Sequence, residues 1–148
     1  MTVAADIGAL MPDPMIHFLA LAVLMAASAL PDSSPILPQC PASPNCVSSQ
    51  ADDNHRVEPF KVTGDAGVAF GKLRKILAQR TDTTLISSDD TMITVEFRTM
   101  LGFVDDGLFV LDAANRLIQV RSAARLGYWD MGKNRRRMEE IRKSYLAE

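Results

Sequence analysis

With 148 residues, 47% hydrophobic and 23% charged, the chain is long enough for one domain that buries about two-thirds of its unfolded surface, and this composition excludes a disordered or fibrous protein. The net charge of -2 hides an asymmetry: residues 121–143 carry eight basic side chains against three acidic ones, and the remainder carries eight against fifteen. Such a basic segment either steers an anionic partner to one end of the molecule or forms a solvated helix face.

Residues 15–30, MIHFLALAVLMAASAL, contain no Asp, Glu, Lys or Arg. The run is short of the roughly 20 residues of a membrane span and has the length of a signal-peptide core. Ala27, Ser28 and Ala29 supply the small residues that a signal peptidase reads, which predicts a signal over 1–29, cleavage after Ala29 and export to the periplasm or cell envelope. A retained anchor, which would keep the domain near a membrane, and a buried helix are the alternatives. Asp6 and Asp13 stand where an export signal carries basic residues, so Met11 or Met15 is an alternative start. Cys40 follows ILPQ and lacks the small preceding residue of a lipidation site.

Residues 30–54 hold five of the eight prolines. Each removes a backbone donor and restricts its predecessor, which predicts an extended arm without regular structure. Cys40 and Cys46 are the only cysteines, and in an oxidising compartment they are expected to close a small disulfide loop. Their spacing is not that of a redox-active C-x-x-C pair, and with His55 they remain one ligand short of a metal site. No metal or cofactor is expected.

Residues 55–148 are expected to form one α+β domain. HRVEPFKV (55–62) reads as an edge strand interrupted by Pro59. Asp65 caps a helix over 66–80, with Ala66, Ala69, Phe70, Leu73, Ile76 and Leu77 at helical spacing. TTLIS (83–87) and MITVEFR (92–98) flank the turn residues 88–91 as a hairpin. FVDDGLFVLD (103–112) and LIQVRS (117–122) form a second one around residues 113–116. A last helix starting near Asn134 carries Met138, Ile141 and Tyr145 on one stripe. The order β-α-β-β-β-β-α predicts an antiparallel sheet of four to five strands with two helices on one face.

Three motifs carry a resemblance: CPASPNCVSSQ (40–50), GFVDD (102–106) and VRSAARLGYWDMGKNRRR (120–137). Together they resemble the signatures of the domain-of-unknown-function family numbered 1499, over about residues 40–146. The resemblance implies a protein without an assigned activity and with exported or membrane-associated relatives. Where the family pattern tends to read Arg-Ser-x-Ser-Arg, this chain has Ala124 in place of the second Ser, so a role for a second hydroxyl falls away.

Asp105 and Asp106 look like paired carboxylates, but adjacent strand residues face opposite sides of a sheet and cannot flank one glycosidic bond. With Leu111 paired to Leu117, Asp106 lies opposite Ser122 and Asp105 diagonal to Arg121, so each acid has a structural partner, with a role in binding a ligand as the alternative. On the last helix Asn134 falls on the buried stripe, Arg135 and Arg137 flank it and Arg136 points away. Asn134 is either the N-cap of this helix or part of an anion site. In the second reading the helix start, Arg135 or Arg137, and Arg121 or Arg125 converge on a phosphate or carboxylate, with Ser122 and Asp130 nearby and Tyr128 and Trp129 as an apolar wall. The same aromatics can instead plug the gap between sheet and helix.

Export leaves His55 as the sole histidine, and no nucleophile-elbow motif surrounds any Ser, which argues against serine hydrolysis. Export and the acidic remainder argue against nucleic acid as a partner. Two readings stand: an envelope module that binds an anionic small molecule, lipid headgroup or glycan through residues 121–137, and a structural or interaction domain whose charged motifs stabilise the fold. The sequence leans away from an enzyme.

Overall fold

The computed structural model describes residues 36–147; the expected signal segment, 1–29, lies outside the described residues. The elements run β1 (Cys46–Ser48), β2 (Phe60–Lys61), α1 (Ala66–Gln79), β3 (Thr83–Ser88), β4 (Met92–Arg98), β5 (Val104–Asp112), β6 (Leu117–Ala124) and α2 (Lys133–Ala147). All strand pairs are antiparallel, in the order β1-β6-β5-β4-β3, and β2 also pairs with β6. The fold class is α+β, as expected.

α1 starts where its cap was read. Asp65 Oδ1 accepts from the Val68 amide at 2.9 Å, and Ala69, Phe70, Leu73, Ile76 and Leu77 are buried. Alternation along the strands sends Ile93, Val95 and Phe97 of β4, Phe109 of β5, and Ile118 and Val120 of β6 into the same core. α2 adds Met138, Ile141 and Tyr145. Phe60 links the layers, its ring centroid 6.2 Å from Phe109 and 5.6 Å from Tyr145.

Three local expectations are corrected. The arm contains a strand: β1 pairs Cys46 with Ala123, Val47 with Ser122 and Ser48 with Arg121, and Val47 joins the core. Its three residues pair with a distant strand, so the prolines around it do not prevent it. The 55–62 segment contributes only β2, because Pro59 interrupts it, together with a single bridge from Arg56 to Ser48. The β5–β6 register is displaced by one residue from the expected one, with Leu111 opposite Ile118, Asp106 opposite Ala123 and Asp105 opposite Ala124.

That displacement exchanges the faces of the two acids. Asp105 lies on the helix-covered face with Phe109 and Ser122, and Asp106 on the other face with Arg121. The cause is in the turn: Asp112 pairs with Leu117, Asp112 Oδ1 accepts from the Asn115 amide, and Arg116 adopts a left-handed φ of 55°. These contacts close the hairpin in four residues.

Candidate functional site at one end of the sheet

The family-like motifs meet where β4 ends, β5 begins, β6 ends and α2 starts. They form two separate charged clusters, one on each face of the sheet, and a rim of loops beyond them.

Beneath α2, Arg137 is 2% exposed. Its Nη1 donates to Asp105 Oδ2 at 2.9 Å and to Asn134 Oδ1 at 2.9 Å, and its guanidinium lies 4.5 Å from the centre of the Phe97 ring. Asp82 Oδ2 stands 3.7 Å from Nε, an ion contact beyond hydrogen-bond range. Ser122 Oγ also donates to Asn134 Oδ1, and Asn134 Nδ2 donates to the Asn45 carbonyl at 3.2 Å. Asn45 Nδ2 in turn donates to the Gly127 carbonyl. Arg137, Asn134, Ser122 and Asn45 thus tie α2, β6, the arm and the β6–α2 loop together. Arg137 Nη2 is buried without a hydrogen-bond partner among the described residues.

Asn134 is not the N-cap. It lies inside the helix, fully buried, and Asp130 serves the helix start, its Oδ2 accepting from the Asn134 amide at 2.8 Å and its Oδ1 from the Gly132 amide at 2.9 Å. The carboxylate also suits the positive end of the helix dipole.

On the opposite face Glu96 and Asp106 sit directly across from each other on β4 and β5, a like-charge pair that is unfavourable alone. Arg125 resolves it. Its Nη2 reaches Glu96 Oε1 at 2.6 Å and Asp106 Oδ1 at 2.7 Å, and its Nε lies 3.1 Å from both Asp106 oxygens. The hydrogen bonds to Asp106 and then Glu96 raise the Arg125 pKa further above its ordinary value. Because the cluster faces water, its contribution to stability is small. Arg121 lies beside it, opposite Leu108 and Ser48. Its Nε is buried without a partner among the described residues, and burial lowers its pKa, offset in part by the Asp106 charge.

Arg125 and Arg137 therefore bind carboxylates on opposite faces and do not meet. Arg135 is exposed and donates to the carbonyls of Arg56 and Asn54 at 2.6 Å each; Arg136 points outward, as expected, and donates to the Met131 carbonyl. Tyr128 and Trp129 do not plug the gap between sheet and helix. Both are exposed, Trp129 at 65%. A cavity of about 230 Å³ is lined by residues 37–40, 48, 50–53 and 55 and by none of residues 121–137. Beside it the His55 ring nitrogens face the Asp53 carboxylate at 2.8 Å and the Ser43 carbonyl at 3.2 Å. Cys40 and Cys46 are joined as a disulfide. Among the described residues no group of three His, Cys, Asp or Glu side chains gathers to hold a metal ion.

The sequence reading missed the partners Asp82, Glu96, Asn45 and Phe97, which come from other strands and loops. It also missed the rim. Met100, Leu101 and Phe103 in the β4–β5 loop, and Leu126, Tyr128, Trp129 and Met131 in the β6–α2 loop, are all exposed. The two loops adjoin, the Arg125 amide donating to the Val104 carbonyl at 3.2 Å. A signal for the first was present: TMLGF (99–103) places three large apolar residues in a turn, where polar ones are the rule.

The family of proteins of unknown function DUF1499 matches residues 36–144, a range that spans both clusters and the rim. The chain belongs to this family. The match begins ahead of β1 and runs into the last turn of α2, so the DUF1499 unit takes in the arm as well as the sheet and helices. Comparison with curated proteins and with solved structures finds no match.

Proposed function

We propose that the chain is an exported or cell-envelope interaction domain, in which the charged motif residues fix one end of the sheet and the loops 99–103 and 125–132 make the contacts. One observation carries this reading: Arg125 and Arg137 are occupied by carboxylates of the chain itself, whereas the apolar side chains of both loops stand in solvent. Residues this apolar cost free energy in water, and an exposed group of them marks a binding surface. Export is supported by the uncharged run over 15–30 and by the Cys40–Cys46 disulfide, a bond that persists in oxidising compartments.

Arg121 favours a second reading, an anionic small molecule, lipid headgroup or glycan held at the outer face, because its buried Nε lacks an acceptor among the described residues. A thermal-shift titration with inorganic phosphate separates the two. The interaction-domain reading predicts no phosphate-induced rise in Tm, in the wild type or in Arg121→Ala. A site at Arg121 predicts a rise in the wild type, equivalent to about 2.7 kcal/mol at a hundredfold excess over Kd, that vanishes in Arg121→Ala, and that result transfers the conclusion to the second reading.

A further inference from the structure

The chemistry of the rim is more specific than apolar exposure. Met100 and Leu101 are 101% and 85% exposed, so they project from the β4–β5 loop into solvent. Beside them the β6–α2 loop presents Leu126, Tyr128, Trp129 and Met131. Next to these side chains, over residues 98–103 and 125–136, five cations (Arg98, Arg125, Lys133, Arg135 and Arg136) stand against one anion, Asp130. Arg98 closes β4, and Lys133 and Arg136 open α2, while the carboxylates nearby are engaged: Asp130 caps α2 and Glu96 and Asp106 hold Arg125. A protein-binding patch is depleted in Lys at its core and packs its apolar groups into a fitted surface. Protruding Leu, Met, Trp and Tyr side chains flanked by Arg and Lys are the pattern of a bilayer interface, where aromatic residues sit at headgroup level and cations meet anionic lipid. The same chain also carries an uncharged apolar run over 15–30.

We infer that the rim formed by loops 99–103 and 125–132 docks on an anionic lipid bilayer, with Leu101, Leu126 and Trp129 entering the headgroup layer and Arg98, Lys133 and Arg136 facing lipid phosphates. This rests on the loops being the interaction surface. Trp129 is the only tryptophan, so its emission reports the environment of the rim.

The test adds vesicles of phosphatidylglycerol and phosphatidylcholine to the full chain and follows Trp129 emission. The expected result is a blue shift that saturates with lipid. In Leu101→Asp/Leu126→Asp the partition coefficient should fall about tenfold or more, from the loss of two inserted side chains. Lys133→Gln should lower it about fivefold on these vesicles and leave it unchanged on pure phosphatidylcholine. Unmoved emission of the folded wild type overturns bilayer docking. Sedimentation of the same samples without lipid then decides the reading beneath it. If the wild type self-associates and Leu101→Asp/Leu126→Asp is monomeric, the rim is an interaction surface for a second copy of this chain. If both are monomeric, the interaction-surface reading falls as well.

Discussion

Arg137→Ala should lower the unfolding free energy by about 3–5 kcal/mol, the range for removing one partner of a buried ion pair. Arg137 is the only cation that hydrogen-bonds Asp105 among the described residues, and Asp105 is itself 3% exposed. Truncation leaves that carboxylate stranded, takes one of two donors from Asn134 Oδ1 and uncovers the face of Phe97. Urea denaturation measures the loss. Most of it comes from the uncompensated charge, so Asp105→Asn in the Arg137→Ala background should recover part of the lost stability. Arg137→Lys should be intermediate, since an ammonium lacks the planar fork that serves Asp105 and Asn134 together.

Gly107→Ala should be nearly as damaging, at about 3 kcal/mol, the upper end of the cost of overpacking a core. A Cβ at this position would lie 2.3 Å from Phe97 Cε2 and 2.6 Å from Val95 Cγ2, and both side chains are fully buried. Phe97 cannot yield freely because the Arg137 guanidinium stacks on it. One added methyl group therefore strains the β4–β5 pairing and the Asp105–Arg137 pair together. Urea unfolding of Gly107→Ala checks this; a loss below about 1 kcal/mol would mean that the Phe97 ring has room to move.

The parts of this fold that obey a local period were legible in the chain. The stripe Ala69, Phe70, Leu73, Ile76, Leu77 and the Asp65 cap placed α1, and alternation from Ile93 to Phe97 placed β4. Three features depended on contacts between distant segments. β1 is three residues long with only Cys46 and Val47 as apolar positions, and its strand character comes from pairing with β6. The faces of Asp105 and Asp106 depended on one residue of register, set by the left-handed Arg116 in a turn with no glycine. Asn134 was correctly placed on the buried stripe, but its partners Ser122 and Asn45 lie 12 and 89 residues away, so its exclusion from capping was not visible. Exposure of Trp129 was equally hidden, since a Tyr-Trp pair between two glycines reads the same whether it fills a gap or stands in water.

Fold and surface are served by different residues, the buried charges by holding the sheet and helix together and the rim by making outside contacts. Urea unfolding of Leu101→Asp/Leu126→Asp beside Arg137→Ala tests that separation most directly. Leu101 and Leu126 are 85% and 71% exposed, and substitutions at such surface positions change stability by about 0.5 kcal/mol or less each. The rim variant should lie within about 1 kcal/mol of the wild type and Arg137→Ala several kcal/mol below it. A rim variant as unstable as Arg137→Ala, or an Arg137→Ala protein as stable as the wild type, would contradict it.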